Sequence, residues 1–304
     1  MRLRAAGRGG GMSISTVAGT PPALAEACRQ AGLSADGARL LRSFANTVYH
    51  LPGERVVVRL AEAGTPGKYD RLVTSLKVTR WLHEQGFPVT LPLDVRQPLA
   101  VEGCLATFWH YEDGADDGDP VPLGLLLRWL HSLPPVPFAL PTYDPFGRVR
   151  RAVRASLVLD GEEREWLLGR CAALEEAYYE RVEFVLPYGL VHGDAHRGNL
   201  IRTADRILLC DWDSASAGPR EIDLVPTLQG ARFGLSDAQR DGFAHAYGCD
   251  IRDWPGYPVL RDIRELQTLT AVLRIGHRDA AAHAELRHRL ASLRAGDDRI
   301  WHPF

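Results

Sequence analysis

Residues 190–202 read Leu190-Val191-His192-Gly193-Asp194-Ala195-His196-Arg197-Gly198-Asn199-Leu200-Ile201-Arg202, and residues 207–213 read Ile207-Leu208-Leu209-Cys210-Asp211-Trp212-Asp213. Two short apolar stretches flank the polar turn 203–206, a pattern that predicts a β-hairpin. If residue 202 pairs with residue 207, residue 199 pairs with residue 210, which places Asn199 beside Asp211. Asp194 precedes the first strand and is expected near the same end of the hairpin.

The expected cluster of Asp194, Asn199 and Asp211 has a chemical interpretation. Carboxylate and carboxamide oxygens suit Mg²⁺, which binds through one or two protein groups and keeps phosphates and waters. Asp194 could then accept the proton of an attacking hydroxyl, as phosphoryl transfer requires. A purely structural role is the weaker interpretation, because three polar groups at one hairpin end are costly to bury without a ligand.

The run His192–Asn199 followed by Asp211-Trp212-Asp213 resembles the aminoglycoside phosphotransferase and choline kinase-like family, a branch of the protein-kinase-like fold. Gly218–Leu224 and Trp129–His131 share the resemblance, which extends from about residue 40 onwards. It implies an α+β, two-lobed fold with a small N-terminal β-sheet lobe and a larger, mainly helical C-terminal lobe. It also implies ATP and Mg²⁺ as cofactors and the hydroxyl of a small molecule (antibiotic, sugar or amino alcohol) as phosphate acceptor.

The resemblance also implies roles for individual residues. The catalytic candidates are Asp194, as base, and His192; the metal-binding candidates are Asn199, Asp211 and Asp213. The nucleotide-binding candidates are Arg59 and a hinge that meets adenine through its backbone, made of Phe108, Trp109, His110 and Tyr111. From the residues themselves, His192 is better explained as a buried histidine that holds the loop. Asp213 fits a metal contact and a loop-stabilising acceptor equally well.

Two positions depart from the family pattern. Such kinases hold a strand lysine on the α/β-phosphates, paired with a helix glutamate, but here Arg59 takes the strand position and Ser75 takes the helix position. Only Lys68 and Lys77 are lysines among the 36 basic side chains, and neither lies on that strand. An arginine can still bind phosphate oxygens in a bidentate manner.

Composition excludes several classes of protein. The 304 residues are 45% hydrophobic and 24% charged, with a formal net charge of −2, which is ordinary for a globular protein and gives no basic field for nucleic acid. No apolar run is long enough to span a membrane. Five cysteines without a CxxC pair predict reduced thiols and a cytoplasmic location.

The chain is expected to comprise a disordered leader (1–11, before Met12), a nucleotide-binding lobe (12–111) and a catalytic and substrate-binding helical lobe (112–304) that opens with an acidic linker (112–120). Strands are predicted at 47–51, 55–60, 91–95 and 104–111. Asp223 is expected to cap or pin the helix that follows it, and His131 to pack or hydrogen-bond within the lobe. The predicted helices are 21–33, 69–85, 121–132, 145–158, 161–184, 236–248 and 260–294.

Two other functions remain open from the sequence. His192-x-Asp194-x-His196 could form the metal core of a hydrolase, although no HxH or HExxH pairing supplies further histidines. Arg59 and Ser75 could instead indicate a degenerate kinase that binds a nucleotide or a partner without turnover. The identity of the acceptor and the oligomeric state do not follow from the sequence.

Overall fold

A computed structural model of the chain describes residues 21–43, 46–114 and 118–304. The predicted leader 1–11, Met12 and residues 115–117 of the predicted linker lie outside these ranges. The chain divides into two compact units. The first contains the described residues up to Leu76 together with Thr90–Glu112, and the second contains Lys77–Val89 together with the described residues from Asp113 to Phe304. This division differs from the predicted lobes chiefly in residues 77–89.

The first unit is built around an antiparallel five-stranded sheet with the strand order β1-β2-β3-β5-β4. Its strands are β1 (Arg39–Ser43), β2 (Asn46–Leu51), β3 (Val56–Glu62), β4 (Leu99–Val101) and β5 (Cys104–His110). Helix α1 (Pro22–Ala31) packs against the sheet, and Gly32 ends it in the left-handed conformation that favours glycine. Helix α2 (Lys68–Glu84) follows β3 in the chain.

Alternating burial along β3 orients Arg59. Val56, Val58 and Leu60 are buried in the core of the first unit. Val57 and Arg59 point to the opposite face of the sheet and are half-buried.

Two strands of this sheet differ from the prediction. The strand predicted at 91–95 is wrong: β5 pairs with Leu99–Val101, and residues 91–95 make only isolated bonds to it. Pro92 lies inside that apolar run and has no N–H to donate to a ladder, which explains the short pairing. The edge strand β1 was not predicted because its residues show no alternation of buried and exposed side chains.

The second unit is mainly helical. Its helices are α3 (Val121–Ser132), α4 (Gly147–Ala155), α5 (Gly161–Glu180), α6 (Glu221–Leu228), α7 (Asp237–Tyr247), α8 (Tyr257–Ile275) and α9 (Ala280–Ala295). The helix predicted over 260–294 is in fact two helices, because the Asp279 side chain accepts the Ala282 N–H and starts α9 anew. The α+β class, with a small sheet unit and a larger helical unit, is confirmed.

Four short strands within this helical unit carry the His192–Asn199 and Asp211–Asp213 motif. They are β6 (Tyr188–Val191), β7 (Leu200–Arg202), β8 (Ile207–Leu209) and β9 (Ser216–Pro219). β7 pairs with β8 in the predicted register, Arg202 opposite Ile207 and Leu200 opposite Leu209. β6 pairs with β9. The 192–199 loop therefore connects β6 to β7, and the Cys210–Ala215 segment connects β8 back to β9.

The described part of the chain contains no helix that is both long enough and apolar enough to cross a lipid bilayer.

Candidate active site

The hairpin register places Asn199 beside the start of the Asp211 segment. The Cys210 N–H donates to the Asn199 carbonyl over 2.9 Å, which continues the β7–β8 pairing by one step. The Asn199 side chain is buried, and its Nδ2 donates to the Asp194 carbonyl over 3.0 Å. This bond fixes the orientation of the carboxamide and leaves Oδ1 as its acceptor atom.

Asp211 adopts an uncommon backbone conformation, with φ 66° and ψ 58°. Asp and Asn enter this left-handed region more readily than most other residues. The following Trp212 is 1% exposed, and its Nε1 donates to the Leu209 carbonyl over 3.1 Å. Anchoring of Trp212 therefore holds the reversal of the chain at Asp211, and Asp213 follows half-buried in the same short 3₁₀ turn.

Asp194 is partly exposed and carries an ion pair. Arg264 of α8 places Nη1 2.8 Å from Oδ1, and His196 places Nε2 4.0 Å from Oδ2. Desolvation acts to raise the pKa of Asp194, but Arg264, His196 and His192 outweigh it, so the pKa lies below its ordinary value. Asp194 is consequently ionised at neutral pH, as a proton acceptor must be.

His196 is neutral beside this carboxylate. Desolvation and the positive charge of Arg264 lower the pKa of His196, against the opposing effect of Asp194. Its Nδ1 accepts the Gly198 N–H over 3.1 Å, which caps the short 3₁₀ turn Arg197–Asn199. His196 therefore shapes the loop that leads to Asn199.

His192 is completely buried, and the backbone engages both of its ring nitrogens. Nε2 lies 2.9 Å from the Cys210 carbonyl, which can only accept, and Nδ1 accepts the Asp194 N–H over 3.3 Å. The ring also lies 4.6 Å from the Trp212 ring. This geometry favours the loop-holding interpretation of His192 over a direct catalytic one.

Gly193 meets two separate backbone requirements. Its φ is +77°, and a Cβ at this position would lie 2.4 Å from the Ser214 carbonyl oxygen. Any side chain would therefore force apart the 192–199 loop and the segment after Asp211.

Asp223 of α6 binds the backbone at the start of the 192–199 loop. The carboxylate is fully buried and accepts the backbone N–H groups of His192 over 2.7 Å and Gly193 over 2.8 Å. Nε2 of His131, on α3, lies 3.2 Å from Oδ2 of Asp223. Nδ1 of the same histidine lies 2.9 Å from the Tyr247 hydroxyl oxygen. The expectation that Asp223 pins the helix after it is wrong, because Asp223 lies within α6 and binds the preceding loop.

The nucleotide-binding candidates lie in the first unit. Arg59 of β3 stands opposite Thr107 of β5, with its guanidinium carbon 6.0 Å from the centre of the Trp109 ring. At the corresponding place on α2, Ser75 is fully buried, whereas Lys77 is exposed. The acidic residues of α2, Asp70 and Glu84, are both exposed.

The predicted hinge, residues 108–111, already uses several of its backbone donors. The N–H groups of Phe108, His110 and Tyr111 donate to the Gln97 side chain and to the Leu91 and Arg55 carbonyls. Phe108 and Trp109 are buried, His110 is exposed, and Tyr111 stacks on His50 at 3.7 Å. The adenine contact expected of this segment stays a prediction.

The hydrolase alternative finds no support in this geometry. Within the described ranges, no three His, Cys, Asp or Glu side chains converge closely enough to bind a metal ion. His192 has both ring nitrogens in use, and Nδ1 of His196 is occupied by the Gly198 N–H.

Arg264 contributes to the site without any signal in the sequence, because it lies on α8, far from the 192–199 loop in the chain, and no local motif surrounds it. His196 belongs to the motif, but its position beside the Asp194 carboxylate depends on the turn that it caps.

Comparison with known proteins identifies the family. The family model described as the phosphotransferase enzyme family (APH) matches residues 37–263 of this chain. No curated protein matches the sequence.

Several solved structures share the fold. An amicoumacin kinase in complex with AMP-PNP, Ca²⁺ and Ami has a TM-score of 0.69 at 15% identity, over 86% of this chain and 89% of that chain. An aminoglycoside phosphotransferase from Streptomyces rimosus has a TM-score of 0.61 at 19% identity, over 80% of this chain and 96% of that chain. A choline/ethanolamine kinase family protein from Mesorhizobium loti has a TM-score of 0.57 at 19% identity, over 85% of this chain and 87% of that chain. Because the family model spans most of the chain, including the hairpin and the Asp194 loop, this protein belongs to the phosphotransferase enzyme family, as the sequence motif predicted.

Proposed function

We propose that this protein transfers the γ-phosphoryl group of ATP to a hydroxyl of a small molecule, with Mg²⁺ as the metal. The observation that carries the proposal is the ionised Asp194 at the end of the hairpin that also presents Asn199 and Asp211. The amicoumacin kinase was solved with AMP-PNP and Ca²⁺, and a spectinomycin phosphotransferase of the same fold was solved with ADP and spectinomycin. These ligands support a nucleotide and a small-molecule acceptor here.

In the proposed reaction Asp194 acts as the general base. The acceptor oxygen forms a bond to the γ-phosphorus, the bond from that phosphorus to the β–γ bridging oxygen breaks, and ADP leaves. The hydroxyl proton passes to the Asp194 carboxylate. The partial exposure of Asp194 gives an acceptor access to this carboxylate, and the low pKa keeps it unprotonated.

Asn199 and Asp211 supply oxygen atoms of the kind that Mg²⁺ prefers as ligands. The Asn199 carboxamide is oriented by its Nδ2 bond to Asp194, which leaves Oδ1 available, and Asp211 supplies a carboxylate. Asp213 is a further carboxylate in the same turn. Mg²⁺ held there would neutralise charge on the β- and γ-phosphoryl oxygens during transfer.

A second candidate function rests on the first unit. Arg59 replaces the strand lysine, and α2 presents Ser75 where a glutamate would pair with it, so a protein that binds nucleotide without turnover is the alternative. Retention of Asp194, Asn199 and Asp211 favours the enzyme over this alternative.

The test is a screen for ADP formation from Mg-ATP with sugars, amino alcohols and antibiotics, with mass spectrometry to identify the phosphorylated product. We expect Asp194→Asn to lower turnover of the acceptor that is found by roughly 10²–10⁴-fold, the usual contribution of a general base. Calorimetry should show Mg-ATP affinity close to that of the unaltered protein, because the substituted side chain keeps its size.

Asp205→Asn is the matched control, since Asp205 is exposed in the turn between β7 and β8 and bonds only locally to Thr203. Turnover in Asp194→Asn within a few-fold of the unaltered enzyme would remove Asp194 from the role of base. Mg-ATP binding without ADP formation in any mixture would favour the binding protein.

A further inference from the structure

Arg264 is the charged group that contacts the Asp194 carboxylate most closely, and it comes from a different part of the fold. Its Nη1 lies 2.8 Å from Asp194 Oδ1. The contact is one-sided, because the charged group beside the other carboxylate oxygen, Oδ2, is His196, whose Nε2 lies 4.0 Å away. One oxygen is thus held by a cation, while the second is left to a weaker neighbour.

The backbone of α8 around Arg264 is anchored by buried side chains. Leu260, Ile263 and Leu266 around it are all buried in the core of the second unit. One turn later, Gln267 donates to the Tyr143 hydroxyl over 2.9 Å and to the Pro145 carbonyl over 3.1 Å. Arg264 and Gln267 line a small cavity together with Gly193, so this face of α8 lies against the 192–199 loop.

The position of the Arg264 side chain carries an unfavourable burial energy. Its guanidinium is 19% exposed, and within the described ranges its buried Nε has no hydrogen-bond partner. Burying a charged donor without a partner is unfavourable, so the ion pair with Asp194 must offset that cost. The position of Arg264 is therefore explained by Asp194 and not by the packing of α8 alone.

We propose that Arg264 is a positioning residue for Asp194: by binding Oδ1 it fixes the rotation of the carboxylate and turns Oδ2 towards the acceptor hydroxyl. This inference rests on the proposed function of Asp194 as the base. Proton transfer requires the accepting oxygen within hydrogen-bond reach of the hydroxyl, so an unrestrained carboxylate would spend much of its time in unproductive orientations. Arg264 lies immediately beyond residues 37–263, the part of the chain that the family model matches.

The kinetic test compares Arg264→Gln with Arg264→Lys, using the acceptor identified by the screen. We expect Arg264→Gln to lower kcat at least tenfold with the KM for Mg-ATP unchanged within twofold, because nucleotide contacts are not altered. Arg264→Lys should recover part of kcat, since a lysine keeps one charged donor on the same helix but loses the guanidinium geometry. A general loss of structure would lower kcat in both variants alike.

Arg261→Gln is the control, because Arg261 lies one turn earlier on α8, is 45% exposed and pairs with Asp262. A kcat for Arg264→Gln within twofold of the unaltered enzyme would overturn the proposal. An equal loss in Arg261→Gln would also overturn it, since the effect would then belong to the helix as a whole.

A stability measurement separates this proposal from the proposed function. The midpoints of urea unfolding for Arg264→Gln, Asp194→Asn and the double variant form a cycle that needs no acceptor. If Arg264 and Asp194 stabilise the protein as one pair, the double variant should be no less stable than the less stable of the two single variants. Strictly additive losses would show that the pair is absent, whether or not an acceptor is found. If the pair is present but no acceptor is phosphorylated, the proposed function fails, and the positioning role fails with it.

Discussion

At the scale of single residues, the backbone of Asp211 and its carboxylate make separable contributions. The left-handed conformation at Asp211 suits Asp and Asn but costs an alanine about 1–2 kcal/mol. Asp211→Ala therefore mixes backbone strain with the loss of a charge, whereas Asp211→Asn removes the charge and keeps a residue suited to that conformation.

We expect Asp211→Asn to weaken Mg-dependent nucleotide binding strongly while the free energy of unfolding changes little. The reason is that the carboxylate would bridge the metal to the β- and γ-phosphoryl groups. Calorimetry with ATP in the presence and absence of Mg²⁺ checks this, and urea unfolding is the control for the fold. The same Mg-ATP affinity as in the unaltered protein would show that Asp211 does not bind the metal.

Arg59 is the other residue whose proposed role can be tested by substitution. It projects from the half-buried face of β3, near the Trp109 ring, and a guanidinium can bind two phosphate oxygens at once. Arg59→Ala is expected to weaken ATP binding or turnover by at least tenfold, or about 1.4 kcal/mol, and Arg59→Lys should keep part of the activity. Lys77→Ala serves as the control, since Lys77 is exposed on α2. Full ATP binding and turnover in Arg59→Ala would show that Arg59 does not bind the phosphates.

At the scale of elements, α6 and α3 jointly hold the 192–199 loop through Asp223 and His131. Asp223→Ala would leave the buried N–H of His192 and the partly buried N–H of Gly193 without their acceptor. Removing one partner of a buried charged network typically costs about 3–5 kcal/mol. We expect a loss of that order in the free energy of unfolding, measured with urea, together with a large loss of turnover.

Asp237→Ala is the control for Asp223→Ala, because Asp237 is an exposed acidic residue in the first turn of α7. A loss in Asp223→Ala no larger than in this control would mean that the loop is held by other contacts.

At the scale of the whole molecule, Trp301 and His302 attach the C-terminal segment to the second unit. Trp301 is 1% exposed, and the guanidinium carbon of Arg232 lies 4.7 Å from the centre of its ring. Glu285 of α9 accepts the His302 N–H over 2.9 Å and pairs with Arg289 over 2.7 Å. The tail is thereby fixed to α9 through one buried carboxylate.

This carboxylate makes the stability of the protein depend on pH. Burial acts to raise the pKa of Glu285, but its bonds to Arg289 and His302 outweigh burial and lower the pKa below the ordinary 4.5. A lowered pKa in the folded state means that the stabilisation is present above about pH 4.5 and is lost as the pH falls through the folded-state value. Glu285→Gln should therefore destabilise the protein at pH 7 and have a smaller effect in acid.

Urea unfolding of Glu285→Gln and the unaltered protein at pH 7 and below pH 4 measures this difference. Glu162→Gln is the control, because Glu162 is 82% exposed on α5 and its contribution is screened by solvent. An effect of Glu285→Gln that does not change with pH would contradict the assignment.

The sequence by itself determined the β7–β8 hairpin, its register and the grouping of Asn199 with Asp211, because these depend on strand pairing across a four-residue turn. It also determined the family, since the motif is contiguous. It placed a strand at 91–95 wrongly because an apolar run does not show which neighbour it will pair with. It joined α8 to α9 because apolar spacing continues past the Asp279 cap.

Only the tertiary structure decided what holds the site together. His131 and Asp223 are 92 residues apart in the chain, Asp223 lies about 30 residues from the backbone groups that it binds, and Arg264 comes from a helix later still. Charged and polar side chains of this kind carry no periodic pattern, since their burial depends on a partner that another element supplies. Hydrophobic spacing positions the helices and strands, and the partners of Asp194 and Asp223 are set only when those elements pack.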